Sequence, residues 1–470
     1  MTEHLSRRRF LKLTALAAVA RPHAAAATTR RPNIVMYLSD DHGYEFTGCY
    51  GDGVVHTPNI DALATEGMRF TKMFAASPTC VPSRSVLYTG LYPYRNGAMG
   101  NHTKTRQRIQ SLPTYLRALG YRVVLANKVH VQPPNVFDFE ILEAALPPDP
   151  ANPRTHRDEG LDTQKVDAFL ASHAAERGNE PLCLILADDS PHVTWEKNRD
   201  YDPAMLRVPP YMVDTPMTRR ALANYYQDVT TMDGRVGEVM ASLRKHGFED
   251  TTLFIYTTDQ GSEWPHSKWT VYDTGIRVPF IARWPGRIEA GSICDALVSF
   301  VDMTGTFVDV AGGDAVEHLD GRSFLDVLLG NRKDFRDYVF ASHTRDGDMN
   351  VFPQRGLRDS RYKYVLNLMP ENKWTTHFTK VEGLSESHAT VYNTWLEKAR
   401  MDPVAARLVQ TIERHGPEEV YDTQEDPYEL NNIIDRSDTR PILKRMRAQL
   451  KRMLHEMGDP AHESVPENPG

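Results

Sequence analysis

The chain has 470 residues, enough for one large domain with an appendage or for two domains. With 40% hydrophobic and 25% charged residues, its composition is typical of a soluble globular protein. Its formal net charge of −7 argues against a protein that coats nucleic acid, but it is compatible with a small anionic substrate in a local basic pocket. The four cysteines are widely spaced without a CxxC pair, so neither a zinc knuckle nor a disulfide is predicted.

Residues 1–28 are organised like an export signal. The basic run Ser6-Arg7-Arg8-Arg9-Phe10-Leu11-Lys12 precedes an apolar stretch at 13–20 and an alanine-rich stretch at 24–27, and this pattern resembles a twin-arginine signal peptide. A basic amphipathic first helix is the alternative. The signal implies transport by the twin-arginine translocase to the periplasm or the medium. No membrane segment is expected after cleavage, because no other segment approaches about 20 consecutive apolar residues.

Apolar runs that end in polar clusters recur along the chain and predict buried parallel strands. Such runs lie at 33–38, 121–126, 182–187 and 252–257. Helical patterns separate them, at about 57–67, 111–119 and 217–245. This alternation predicts an α/β fold with a mostly parallel central sheet flanked by helices.

The sequence pattern changes near residue 346, and this change predicts a second, smaller structural unit. Short antiparallel strands are expected at 338–342, 356–358 and 362–366, followed by a terminal helix at about 439–457. We therefore assign residues 31–345 to a catalytic α/β domain and residues 346–457 to a small C-terminal α+β subdomain. The Pro-rich residues 458–470 are expected to be a disordered tail.

The most informative motif is Cys80-Val81-Pro82-Ser83-Arg84. It resembles the signature of the formylglycine-dependent (type I) sulfatases, in which an enzyme reads Cys-x-Pro-x-Arg and oxidises the cysteine to formylglycine. Taken alone, the five residues could also surround a buried structural cysteine. Further matches run in order from residue 32 to about residue 453, among them Gly48-Cys49-Tyr50-Gly51, Thr57-Pro58-Asn59-Ile60-Asp61 and Gly275-Ile276-Arg277-Val278-Pro279.

The resemblance implies an alkaline-phosphatase-like fold and a formylglycine-generating enzyme that modifies Cys80. A hydrated aldehyde carries two hydroxyls on one carbon, so one can attack sulfur and the other can then expel sulfate by re-forming the aldehyde. A helix that starts after Pro82 would direct its N–H groups at the sulfate. Because twin-arginine export carries folded proteins, modification of Cys80 could precede export.

A divalent cation is expected at the ends of the strands. Asp40, Asp41, Asp259 and Gln260 offer only oxygen ligands, which favour Ca²⁺, and less strongly Mg²⁺, over zinc. The resemblance adds the residue formed from Cys80 as a further ligand. Gln260 departs from the Asn or His that the family usually has there, although its amide oxygen can still bind a cation.

The resemblance also assigns the catalytic side chains. Lys128 and Lys268 would bind sulfate, and Arg84 would hold the formylglycine and the metal ligands in place. His130 would deprotonate the second hydroxyl, and His192 would protonate the leaving oxygen. His42, His102 and His266 lie near these positions in sequence and receive no role.

The predicted function is hydrolysis of sulfate esters or sulfamates on a carbohydrate. The short spacing from Asp259 to Lys268, with Trp264 and Pro265 between them, resembles the heparan N-sulfatase branch and slightly favours an N-sulfated glucosamine. A formylglycine-dependent phosphonate monoester hydrolase or phosphodiesterase is the alternative. A noncatalytic glycan-binding relative is disfavoured, because every expected catalytic position is filled.

Overall fold

The computed structural model describes residues 31–144, 160–380 and 386–467. In this part of the chain the larger unit is a nine-stranded sheet, made of β1 (Asn33–Ser39), β2 (Met68–Phe74), β3 (Arg122–Asn127), β4 (Glu140–Ala144), β5 (Leu182–Ala187), β6 (Thr252–Thr258), β7 (Arg277–Arg283), β8 (Ser292–Cys294) and β9 (Val298–Ser299). Their order is β4-β3-β5-β1-β6-β7-β2-β8, and β9 also pairs with β2. β7 runs antiparallel to β6 and β2, while the other pairs are parallel. The predicted mostly parallel sheet is confirmed.

Helices cover both faces of this sheet. They are α1 (Pro58–Glu66), α2 (Cys80–Thr89), α3 (Pro93–Asn96), α4 (Leu112–Ala118), α5 (Thr163–Arg177), α6 (Pro216–Lys245), α7 (Asp273–Ile276), α8 (Met303–Val310) and α9 (Leu325–Leu328). Ile34 and Met36 of β1 pack into a core with α2, α4 and α8, whereas Val35 and Tyr37 pack into a second core with α1, α5 and α6. A strand buried on both faces reads as a continuous apolar run, which is why β1 was recognisable from sequence.

The register of the central strands brings their carboxyl ends to one edge. Leu38 of β1 pairs with Ala187 of β5, and Ser39 pairs with Thr258 of β6. Ala187 also pairs with Asn127 of β3. The polar residues that follow these strands therefore leave the sheet side by side, where α/β proteins bind their ligands.

The smaller unit is an antiparallel sheet in the order β10-β11-β12-β13, formed by β10 (Val339–His343), β11 (Gln354–Arg358), β12 (Tyr362–Asn367) and β13 (Glu418–Asp422) and accompanied by α10 (Glu386–Ala399), α11 (Pro403–Glu413) and α12 (Arg440–Met457). The expected small antiparallel sheet is present, although β10 begins before the boundary placed at residue 346. The sheet adjoins the larger unit directly, because the Ser342 amide donates to the Ala76 carbonyl at 3.0 Å and Lys363 donates to the Val271 carbonyl at 2.8 Å.

The expected disordered tail is wrong for residues 458–467. These residues include a short 3-10 helix, Pro460–Ser464, and the side chains of Ala461 and Val465 are buried. Arg355 donates to Asp459 at 2.6 Å, and both side chains are buried. Apolar anchors and a buried ion pair hold this segment against the domain despite its proline content. Residues 468–470 and the predicted signal at 1–28 lie outside the described residues.

No helix within residues 31–144, 160–380 and 386–467 is long and apolar enough to cross a membrane. The four cysteine thiols, at Cys49, Cys80, Cys183 and Cys294, are free.

Candidate active site

Cys80 is the first residue of α2, so the helix starts three residues earlier than predicted. The amide of Val81 donates to Oδ1 of Asn101 at 3.2 Å. Cys80 is 1% exposed, and its Sγ lies 3.5 Å from Oδ1 of Asp40 and 3.3 Å from Nε2 of Gln260. Burial and the neighbouring Asp40 carboxylate raise the pKa of this thiol well above its ordinary value. The thiol therefore remains protonated at neutral pH and is a poor nucleophile as it stands.

Three buried carboxylates lie beside Cys80. Asp40, Asp41 and Asp259 each offer an oxygen within 4.8 Å of the others, and all three residues are 0% exposed. Asp41 has the left-handed φ of 65°, and its amide donates to Oδ1 of Asp259 at 3.3 Å. Burial, with the added repulsion of Asp40, raises the pKa of Asp41 and of Asp259 to about 7. A cluster of this kind is stabilised by a cation.

Gln260 completes the oxygen-rich cluster. Its Nε2 donates to Oδ1 of Asp41 at 2.6 Å, while its Oε1 is buried and has no hydrogen-bond partner among the described residues. A half-turn of the terminal amide exchanges these two atoms. An orphaned amide oxygen next to three carboxylates fits a hard divalent cation, so the residues predicted as metal ligands are suited to that role.

Arg84 lies under the cluster and is 0% exposed. Its Nε donates to Oδ2 of Asp259 at 2.9 Å, and its Nη2 lies 3.4 Å from Oδ2 of Asp40. A third contact, of 3.4 Å, joins Nη1 to the carbonyl of Lys128. The guanidinium thus connects α2 to the ends of β1, β6 and β3, which fixes the position of Cys80 relative to the carboxylates.

Two lysines add positive charge next to the cluster. Lys128 pairs with Asp40 and lies 3.3 Å from Oδ1 of Asp189. Lys268 donates to Oδ2 of Asp41 at 2.6 Å. Both ammonium groups are mostly buried. Both charges act on Cys80 at the N-terminus of α2, an arrangement that suits a tetrahedral oxyanion.

Two histidines flank the same pocket. Nε2 of His192 is 3.7 Å from Oδ2 of Asp41, and burial together with Lys268 and Lys128 lowers the pKa of His192 well below its ordinary value. Burial and Lys128 lower the pKa of His130 to about 2. Both rings are therefore neutral at pH 7. Nδ1 of His130 is buried without a hydrogen-bond partner among the described residues, so it is available to accept a proton.

Comparison with known protein families identifies the family to which this chain belongs. Residues 32–313 match the sequence model of the sulfatase family, and residues 262–414 match the model described as N-sulphoglucosamine sulphohydrolase, C-terminal. The chain belongs to the sulfatase family. It is a sulfuric ester hydrolase, and the formylglycine and metal ion that sulfatases generally use have matching positions here in Cys80 and the acidic cluster.

Similar proteins extend over nearly the whole sulfatase. An ulvan-active sulfatase from Formosa agariphila is 32% identical over 446 residues, which cover 94% of this chain and 83% of the relative. The human N-sulphoglucosamine sulphohydrolase is 26% identical over 477 residues, or 92% of this chain and 91% of the relative. A solved structure in complex with its substrate D-glucosamine-2-N,6-O-disulfate has a TM-score of 0.68 at 20% identity, and the match covers 93% of this chain and 100% of that one. The structural likeness supports the alkaline-phosphatase-like sulfatase fold.

The structure brings all ten predicted site residues of the sulfatase into one pocket region: Asp40, Asp41, Cys80, Arg84, Lys128, His130, His192, Asp259, Gln260 and Lys268. Two of the unassigned histidines lie elsewhere. His42 contacts the Tyr256 hydroxyl at 2.5 Å, and His266 contacts the Tyr428 carbonyl at 2.8 Å.

Sequence reasoning missed four polar residues of this region. Asp189 pairs with Lys128, and Glu263 lies close to Asp41 and His192. Asn101 and Asp346 come from loops and contact each other at 3.2 Å. Only Asp189 carried a recognisable signal, since it follows a buried strand as Asp40 does.

Proposed function

We propose that this sulfatase removes sulfate from a sulfated carbohydrate, using as nucleophile a hydrated formylglycine made from Cys80. The position of Cys80 carries the proposal. It begins a helix, points at Asp40 and Gln260, and has a buried thiol that stays protonated. Oxidation to an aldehyde would replace this unreactive thiol by a hydrate with two hydroxyls in the same place.

Asp40, Asp41, Asp259 and Gln260 would hold a divalent cation together with the residue formed from Cys80. Ca²⁺ is the favoured ion, because it accepts an irregular set of oxygen ligands more readily than Mg²⁺ does. When bound, the cation supplies a lowered pKa for the attacking hydroxyl and polarises a sulfate oxygen.

The sulfate is bound and oriented by Lys128, Lys268 and the N–H groups at the start of α2. Arg84 holds α2 in a fixed position relative to the carboxylates. In the first step one hydroxyl of the hydrate attacks sulfur, and the bond from sulfur to the substrate oxygen or nitrogen breaks. The proton that the hydroxyl loses balances the proton that the leaving group takes up. The negative charge of bound sulfate raises the pKa of His192, so its Nε2 can carry the proton that the leaving group needs.

In the second step His130 removes the proton of the remaining hydroxyl. Its electron pair forms the C=O bond of the aldehyde, and the C–O bond to sulfate breaks with its electrons leaving on sulfate. Water then regenerates the hydrate. The unpartnered Nδ1 of His130 is the atom suited to accept this proton.

An N-sulfated glucosamine is the favoured substrate unit. The match of residues 262–414 to the C-terminal model and the likeness to the human N-sulphoglucosamine sulphohydrolase support it. The related phosphonate monoester hydrolase activity is the second candidate, because a phosphonate resembles sulfate in shape and differs chiefly in charge.

The direct test is sulfate release from a panel of N- and O-sulfated saccharides, with an aryl phosphonate alongside and Ca²⁺ present. We expect release from at least one sulfated saccharide and its loss in Cys80→Ala. Cys49→Ala, which removes a partly buried thiol distant in sequence from the motif, serves as the matched control and should retain activity. A strong preference for the phosphonate, or undiminished activity of Cys80→Ala, would overturn the proposal.

We also propose how the protein is exported. Residues 1–28 would direct it through the twin-arginine translocase to the periplasm or the medium, after a formylglycine-generating enzyme has modified Cys80 in the cytoplasm. Replacing Arg7, Arg8 and Arg9 together by lysine should leave active enzyme in the cytoplasmic fraction. Unchanged export of this variant would argue against the twin-arginine route.

A further inference from the structure

Behind His130 lies a chain of polar side chains that the steps above do not use. Nε2 of His130 is 3.4 Å from Nδ1 of His102, and Nε2 of His102 is 3.4 Å from Oδ1 of Asp346. The side chain of His102 is 64% exposed, whereas that of Asp346 is 6% exposed. The chain therefore runs from the catalytic pocket through one exposed imidazole to a buried carboxylate.

The backbone holds the two histidines in an unusual conformation. His102 has a φ of 59° and His130 a φ of 40°, both in the left-handed region that non-glycine residues seldom adopt. Such conformations cost on the order of 1–3 kcal/mol each and persist where the surrounding structure imposes them. The ring centroids lie 5.3 Å apart and the ring planes are tilted by 48°, so the strained segments place the two imidazoles next to each other.

Asp346 is fixed from several sides. Oδ2 accepts hydrogen bonds from Asn101 at 3.2 Å and from Trp269 at 3.1 Å, and Nδ1 of His377 is 3.8 Å away. Burial opposes ionisation, but His377 and the two hydrogen bonds hold the pKa of Asp346 below its ordinary value. Asp346 is therefore an ionised carboxylate that lies 3.4 Å from Nε2 of His102.

These contacts set the direction in which a proton can move. Nε2 of His102 is 3.4 Å from both Oδ1 of Asp346 and Nδ2 of Asn101. In the tautomer that donates from Nε2 to Asp346, Nδ1 of His102 is an acceptor, and it lies 3.4 Å from Nε2 of His130. On the inner side the charges of Lys128 and Arg84 disfavour a protonated His130. On the outer side His102 lies next to the Asp346 carboxylate and is 64% exposed. The contacts thus lead from the pocket to solvent.

We propose that His102 and Asp346 are positioning residues that carry away the proton taken up by His130 when sulfate is expelled. Nδ1 of His130 accepts the hydroxyl proton as its Nε2 passes one to Nδ1 of His102. The imidazolium of His102, paired with Asp346, then releases its Nδ1 proton to water and returns to its starting state. His130 is left with its proton on Nδ1 and regains the Nε2–H tautomer by exchanging protons with water. The inference rests on the proposed role of His130.

The test compares His102→Gln and Asp346→Asn with the wild-type enzyme in Ca²⁺. Each is assayed with the fastest substrate among 4-nitrophenyl sulfate and N- and O-sulfated glucosamine. We expect kcat to fall by about 10- to 100-fold with KM unchanged or lower. Mass spectrometry of quenched reactions should show the sulfated form of residue 80 accumulating in both variants, because only the second step is slowed.

His318→Gln is the control. It removes an exposed imidazole that contacts the Tyr115 hydroxyl at 2.7 Å and is not part of the chain from His130 to Asp346, so its kcat should stay within about 3-fold of wild type with no accumulation of sulfated enzyme. Unchanged kcat in His102→Gln would overturn the proposed proton transfer and leave His102 as a residue at the edge of the pocket. A raised KM without accumulation of sulfated enzyme would also overturn it and would assign His102 to substrate binding. A wild-type enzyme that hydrolyses none of the sulfates would instead overturn the proposed function itself.

Discussion

Replacing Arg84 by glutamine removes the guanidinium that lies between two buried carboxylates. Arg84, Asp40 and Asp259 are all 0% exposed, and the two ion-pair distances are 3.4 and 2.9 Å. Asp40 keeps its pair with Lys128, but Asp259 loses Arg84, and breaking a buried pair from one side typically costs about 3–5 kcal/mol of unfolding free energy. We expect a loss of this size in Arg84→Gln, measured by urea denaturation in the presence of a chelator.

A divalent cation should recover part of this loss, because it supplies positive charge to the same carboxylates. Sulfate release should stay low even then, since α2 has lost its connection to the strand ends. Arg361→Gln is the control. Arg361 pairs with Asp422 at 2.7 Å but is 44% exposed, so its replacement should cost at most about 1 kcal/mol. Equal losses in the two variants would refute the reasoning that burial makes the Arg84 pairs strong.

Three further predictions follow from the same contacts. Gln260→Leu removes the orphaned amide oxygen and should weaken Ca²⁺ binding, measured by calorimetry, by about 10-fold or more. Gln260→Asn should retain most of the affinity. Equal affinities for wild type and Gln260→Leu would exclude Gln260 as a ligand. Asp41 and Asp259 have folded pKa values raised to about 7 by burial and by Asp40, above the unfolded value of about 4. The folded protein therefore binds extra protons between these values, and in chelator its unfolding free energy should rise as the pH falls from about 8 to about 5; in Ca²⁺, which competes with those protons, the rise should shrink or reverse. Asp459→Ala breaks the buried pair with Arg355 and should lower the unfolding free energy by about 3 kcal/mol, whereas a disordered tail would show no change.

The central sheet was predictable because its strands are buried on both faces. β1, β3, β5 and β6 read as uninterrupted apolar runs, and polar residues mark the point where each ends. α6, predicted at 217–245, is confirmed at Pro216–Lys245. The direction of β7 was not predictable, because an apolar run is the same whether its strand pairs parallel or antiparallel. β4 was missed, since its sequence EILEA is short and carries charge.

The pocket was predictable to the extent that its residues follow strands or belong to the Cys80 motif. Asn101, His102 and Asp346 come from loops whose path depends on tertiary contacts, so no periodicity marks them. The tail at residues 458–467 was misread for a related reason. Its proline content suggested disorder, while its order depends on Asp459 meeting Arg355, a residue 104 positions away in sequence.

The central claim is that Cys80 acts only after its conversion to formylglycine. Peptide mass spectrometry of catalytically active enzyme tests it most directly, by comparing the abundance of the aldehyde and thiol forms of the peptide that contains Cys80 with sulfatase activity across preparations. The account predicts that activity is proportional to the aldehyde fraction and absent from protein that carries only the thiol. Full activity in a preparation whose Cys80 is entirely unmodified would contradict it.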